Sequence, residues 1–145
     1  MEGEKDEGII MNKTEIKKEI SEINPVSAIE YAHRANLCLL VGRYQDAIVD
    51  YSRAINLDIE IVERFNVYQS RGFCYLKLEL YYKAIEDYNT AINMYSAGCY
   101  QDRGDAYFDL EQYEIARVNC ELALLNQSRM YEIFTSIGNT LQGIS

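Results

Sequence analysis

A chain of 145 residues has the size of one domain. Its 23 acidic and 14 basic residues leave a net charge of −9, a field that works against binding nucleic acid or an anionic membrane. Ordinary hydrophobic content (48%) excludes wholesale disorder, and one Pro with eight Gly leaves little material for a turn-rich sheet fold.

In chain order, residues 1–12 read as a flexible acidic N-terminus with the character of neither a secretory leader nor a transit peptide. Residues 13–24 hold a first helix striped by Ile16, Ile20 and Ile23, which stops before Pro25. Residues 25–145 form a helical domain. Its helices are expected over 27–40, 44–57, 59–78, 81–95, 98–110 and 113–126, and a separate closing helix over 128–142. The cysteines Cys38, Cys74, Cys99 and Cys120 show no paired spacing, and His33 is the single histidine. That excludes a zinc site of Cys/His type and suits reduced, buried thiols in a cytoplasmic protein. No glycine-rich phosphate loop and no nucleophile–base pair stand out, so neither catalysis nor a cofactor or metal is expected.

The helical domain repeats itself. Tyr31-Ala-His-Arg-Ala35, Tyr68-Gln-Ser-Arg-Gly72 and Tyr100-Gln-Asp-Arg-Gly104 align, and each is followed at one shared offset by Tyr44, Tyr81 or Tyr113. Ala47, Ala84 and Ala116 then open three matching segments that end at Ile55, Ile92 and Leu124. A fourth half-unit follows in Phe134, Gly138 and Leu141, with Gly138 lying one repeat length beyond Gly104. Spacings of i, i+4, i+7 in both halves make each unit a pair of helices, at about 28–61, 65–96 and 97–128. A pair this short cannot bury its own apolar stripe, so neighbours must stack. Tyr31, Tyr68 and Tyr100 fall at packing positions, which accounts for much of the tyrosine excess. Arg34 precedes Asp50 by the same offset at which Arg71 precedes Asp87 and Arg103 precedes Asn119. A guanidinium near a core needs a partner, so structural Arg–Asp bridges between the helices of each of the first two units are expected.

These repeats resemble the tetratricopeptide repeat over about 28–141. The resemblance implies an all-α solenoid of antiparallel helix pairs in a right-handed superhelix. It also implies a concave face, lined by the first helix of each unit, that holds a partner's peptide segment. The positions matching that face are Asn36 and Leu39 in the first unit and Gln69, Phe73, Leu76 and Lys77 in the second. Gln101, Asp105, Phe108 and Asp109 match it in the third. Ala32, Ser70, Gly98 and Asp102 stand where a co-chaperone subset of the family carries a carboxylate clamp, and only Asn36 of that set fits. Asp102, Asp105 and Asp109 make an acidic ridge, so the expected partner is a protein segment carrying basic residues beside apolar anchors. The function expected is a non-catalytic adaptor or co-chaperone-like module. A dedicated secretion-type chaperone, a self-associating assembly subunit and a regulatory subunit of an enzyme are the alternatives.

Overall fold

The computed structural model describes residues 11–58, 60–94 and 98–141; at 61, 62, 134 and 137–141 it describes the backbone only. Expectations for residues 1–10, and for the side chains of Phe134, Ile137, Gly138, Asn139 and Leu141, lie outside the described residues. Among the described residues seven helices form and no strand is present. The fold is all-α, built from helix pairs. None of the described helices is long and apolar enough to cross a membrane.

Two compact units divide the chain after Asp58. The N-terminal helix belongs to the same unit as the first pair. In that unit α1 (Lys13–Glu22) packs on α2 (Ala28–Leu40), which pairs with α3 (Tyr44–Asn56). Local chemistry sets the starts of α1 and α2. Asn12 with Glu15, and Ser27 with Glu30, form capping boxes that satisfy backbone N–H groups the helix itself leaves open. The Glu30 carboxyl is held below its ordinary value by the backbone N–H groups of Val26 and Ser27. Ile20 is the buried residue of the α1 stripe, and Ala35, Leu37, Cys38, Ala47, Ile48, Tyr51 and Ala54 make the core of the pair.

The second unit holds α4 (Ile61–Lys77), α5 (Tyr81–Met94), α6 (Tyr100–Asp109) and α7 (Tyr113–Leu141). Its core gathers Ala84, Tyr88, Ala91, Ile92 and Cys99, with Phe65, Tyr68, Tyr75, Leu76 and Tyr100 packed against it. Gly72 makes this possible. A Cβ there would stand 2.9 Å from Tyr88 Cε1, so only glycine lets the ring lie flat on α4.

Each first helix of a pair ends alike. Arg43 N donates to Cys38 O, Leu80 N to Tyr75 O and Gln112 N to Tyr107 O, which is the wide bond of a Schellman cap. The residue before each donor is left-handed: Gly42 at φ 81°, Glu79 at 60° and Glu111 at 59°. Glycine suits that conformation, whereas the two glutamates adopt it at a cost that helix packing offsets.

One expectation fails. The separate closing helix at 128–142 is not formed, because α7 runs unbroken for 29 residues through position 127. Leu124-Leu-Asn-Gln-Ser-Arg-Met130 contains neither Gly nor Pro, so nothing local stops the helix.

Candidate functional site

The arginines and their partners define the geometry of each pair. Arg34 grips Asp50 with two bonds, Nε to Oδ2 at 2.7 Å and Nη2 to Oδ1 at 2.9 Å, while its Nη1 donates to the Ile23 carbonyl at 3.1 Å. That third bond fastens the end of α1 to the first pair. Arg71 grips Asp87 in the same way at 2.8 and 2.7 Å. In the third pair Arg103 donates to Asn119 at 2.7 Å and to Asn89 on α5 at 2.6 Å.

These forks also cover aromatic rings. The guanidinium of Arg34 lies 5.9 Å from the Tyr31 ring centre, Arg71 5.4 Å from Tyr68, and Arg103 5.3 Å from Tyr100. The three tyrosines are therefore half-buried under their own helix's arginine, while Tyr51 and Tyr88 are the fully buried rings. Desolvation pushes the Asp87 carboxyl above its ordinary value against the opposing pull of Arg71.

The residues expected on the groove separate into three kinds. Asn36 is exposed, and its side chain accepts the Tyr51 hydroxyl proton; Leu39 is half-buried. On α4, Gln69 and Leu76 are used by packing: Gln69 donates to Asp102 of α6 at 3.2 Å, and Leu76 joins the core of the second unit. Leu76, which the resemblance places on the groove, is half-buried and packs on the core of the second unit instead. Phe73 is half-buried, with the Lys77 ammonium 5.1 Å above its ring.

Open surface is found on α6 instead. Gln101, Asp105, Phe108 and Asp109 are all exposed, and Phe108 keeps 60% of its surface in solvent. Its ring meets Tyr113 edge-on at 5.3 Å, which fixes an aromatic step beside two carboxylates. Gln101 and Asp105 also border a cleft of about 540 Å³ whose other wall is α7, at Cys120, Ala123, Leu124 and Met130. Sequence spacing did not reveal that wall, because it exists only through the straight course of α7.

Desolvation, then repulsion from Asp102 and Asp109, raises the Asp105 carboxyl above its ordinary 3.8. The sign follows from linkage. The folded chain holds this proton more tightly than the unfolded one, so the site destabilises the fold as pH rises from the unfolded value through the raised one. Asp105→Asn is expected to raise the melting temperature at neutral pH and to leave it unchanged near pH ~3, where the carboxyl is protonated in both states. Calorimetry at the two pH values checks this.

A second cleft, of about 410 Å³, lies in the first unit among α1, α2 and α3, with Arg34, Arg43 and Arg53 on its walls. The Arg34 and Arg43 guanidinia are bonded to Asp50 and Asp46, and Arg53 lies 3.8 Å from Asp50, so their charge is already answered.

Comparison with known proteins agrees with this geometry. The family profile described as tetratricopeptide repeat matches residues 65–97. No curated protein matches the sequence. Among solved structures, the crystal structure of MamA aligns with a TM-score of 0.69 at 24% identity, over 83% of this chain and 69% of that one. A second MamA structure has a TM-score of 0.67, and the chain spans 64% of its length. The second tetratricopeptide domain of Spaghetti (RPAP3), bound to the HSP90 peptide SRMEEVD, aligns at 0.62 and 26% identity, over 74% of this chain and 97% of that one. Three helix pairs repeat one arginine-centred geometry; one of them matches the tetratricopeptide-repeat profile, and the chain shares its fold with these solved tetratricopeptide structures.

Proposed function

We propose that the chain is a non-catalytic protein-interaction module whose α6 face receives a segment of a partner protein. The observation that carries this reading is the exposed Phe108 step flanked by Asp105 and Asp109. An exposed apolar ring between carboxylates suits a segment that offers an apolar anchor beside Lys or Arg. The solved relative with an HSP90 peptide in place supports peptide recognition as the general mode. An acidic C-terminal peptide of that kind does not suit this chain. Gly98 and Asp102 stand where clamp cations are needed, and α6 presents carboxylates. Buried Cys99, its thiol pushed up to about 12 by burial, and buried Cys38 and Cys74 suit a reducing compartment such as the cytoplasm.

A basic amphipathic peptide, labelled and titrated by fluorescence anisotropy, tests the reading. Binding is expected to weaken as salt rises and to fall about tenfold or more on Asp105→Lys. Phe108→Ala is expected to weaken it by a similar factor with the helical circular-dichroism signal unchanged. Salt-independent binding, or equal affinity in both variants, refutes the assignment to α6.

A further inference from the structure

The second unit contains a vacant helix seat, and its own internal repeat shows what the seat is for. Ala84, Tyr88, Ala91 and Ile92 of α5 correspond, one repeat on, to Ala116, Cys120, Ala123 and Leu124 of α7. On α5 these positions are buried between α4 and the start of α6, where Cys99 and Tyr100 join their cluster. On α7 Ala116 is buried and Ala123 half-buried, but the other two positions lie open. Cys120 is exposed where Tyr88 is fully buried, and Leu124 keeps 63% of its surface where Ile92 keeps 9%. The cleft between α6 and α7 is thus the place of a following first helix.

The chain also carries the sequence of that helix. In the repeat, Ile133, Phe134, Gly138 and Leu141 align with Cys99, Tyr100, Gly104 and Tyr107; of these, Cys99 and Tyr100 meet the α5 cluster and Gly104 lies against α7. Yet residues 128–141 continue α7 in a straight line, about 21 Å beyond position 127 at 1.5 Å per residue. A continuous helix cannot turn back onto its own flank. Its far half leaves Tyr131 and Ile133 exposed, next to a seat shaped for their kind of segment.

We infer that a second copy of the chain fills the seat, each molecule placing its 128–141 helix in the α6–α7 cleft of the other. The exchange closes on itself about a two-fold axis, so it gives a dimer and no filament, and both copies bury what a single copy leaves open. In the exchanged pair, Ile133 takes over Leu124 and Cys120 the role that Cys99 plays beside Ile92 and Tyr88. Asp105 borders both the cleft and the peptide-binding face, whereas Phe108 and Asp109 do not line the cleft, so Phe108→Ala bears on the peptide face alone and keeps the two readings distinguishable.

Light scattering on a sizing column tests it. At about 100 µM the protein is expected to elute at twice its 16.8 kDa mass. Leu124→Asp and Ile133→Asp, at positions exposed in the single chain, are each expected to raise the dimer dissociation constant at least about tenfold while thermal unfolding of the single chain is retained. Ile133→Cys treated with a mild oxidant such as diamide is expected to give a reducible disulfide between chains that disappears in the Cys120→Ser background. Three outcomes overturn the inference: the mass of one chain at every concentration, a dimer indifferent to both aspartates, or a 120–133 disulfide formed within one chain. The last would mean that α7 breaks near 127 and folds back into its own seat.

Discussion

Arg71→Ala is expected to destabilise the second unit by about 3–5 kcal/mol, the cost of leaving a buried carboxylate without its partner. Asp87 is only 7% exposed and receives both arms of the Arg71 fork, so its carboxylate loses two charge-assisted bonds at once. Asp87→Ala removes the opposite member and should cost nearly as much, because the guanidinium is itself only 16% exposed. The double variant is expected to lose clearly less than the two single losses together, since no uncompensated charge remains. Urea melts of the four proteins measure the coupling. Additive losses would show that the pair contributes little beyond its separate contacts. The corresponding change in the third pair, Arg103→Ala, leaves the neutral amides of Asn119 and Asn89 behind and should cost less.

Tyr88→Ala is expected to cost about 3–5 kcal/mol, the range for emptying an aromatic site in a packed core. The ring is fully buried, lies against the Gly72 backbone and anchors the cluster that joins α5 to α6. Tyr88→Phe should behave oppositely. The Tyr88 hydroxyl is buried with no hydrogen-bond partner, and burial raises its pKa well above the ordinary value. Removing that oxygen is expected to leave stability unchanged or improve it by up to about 1–2 kcal/mol. At the matching position of the first pair, Tyr51 donates to Asn36, so Tyr51→Phe is expected to cost about 1 kcal/mol. The repeat explains the difference: the residue matching Asn36 in the second pair is Phe73, whose ring offers no carbonyl oxygen. Paired thermal melts of the two phenylalanine variants should therefore shift in opposite senses, or one should not shift at all.

Such contrasts mark how far the sequence could be read. The pairing of Arg34 with Asp50 and of Arg71 with Asp87 was legible because one fixed offset recurred in successive units, and a buried charge has few ways to be satisfied. The open side of α6 was legible for the same reason: Asp105, Phe108 and Asp109 fall off the packing stripe. Leu76 also matched the groove, yet it packs against the core of the second unit, a contact that exists only once the helices of that unit are brought together. The left-handed caps at Glu79 and Glu111 were equally hidden, because nothing in a glutamate signals positive φ.

The sequence by itself determined the repeat, the helix pairs, the arginine-centred pairing and the acidic charge of the third unit. Each of these follows from residue type at fixed spacing, which local sterics and burial translate directly into structure. Tertiary structure alone decided where the helices end and what each face meets. Residues 113–141 carry the pattern of two helices, but no Gly or Pro separates them, so propagation at one hydrogen bond per residue carries α7 straight through. That single continuity leaves Cys120 and Leu124 exposed beside the α6–α7 cleft.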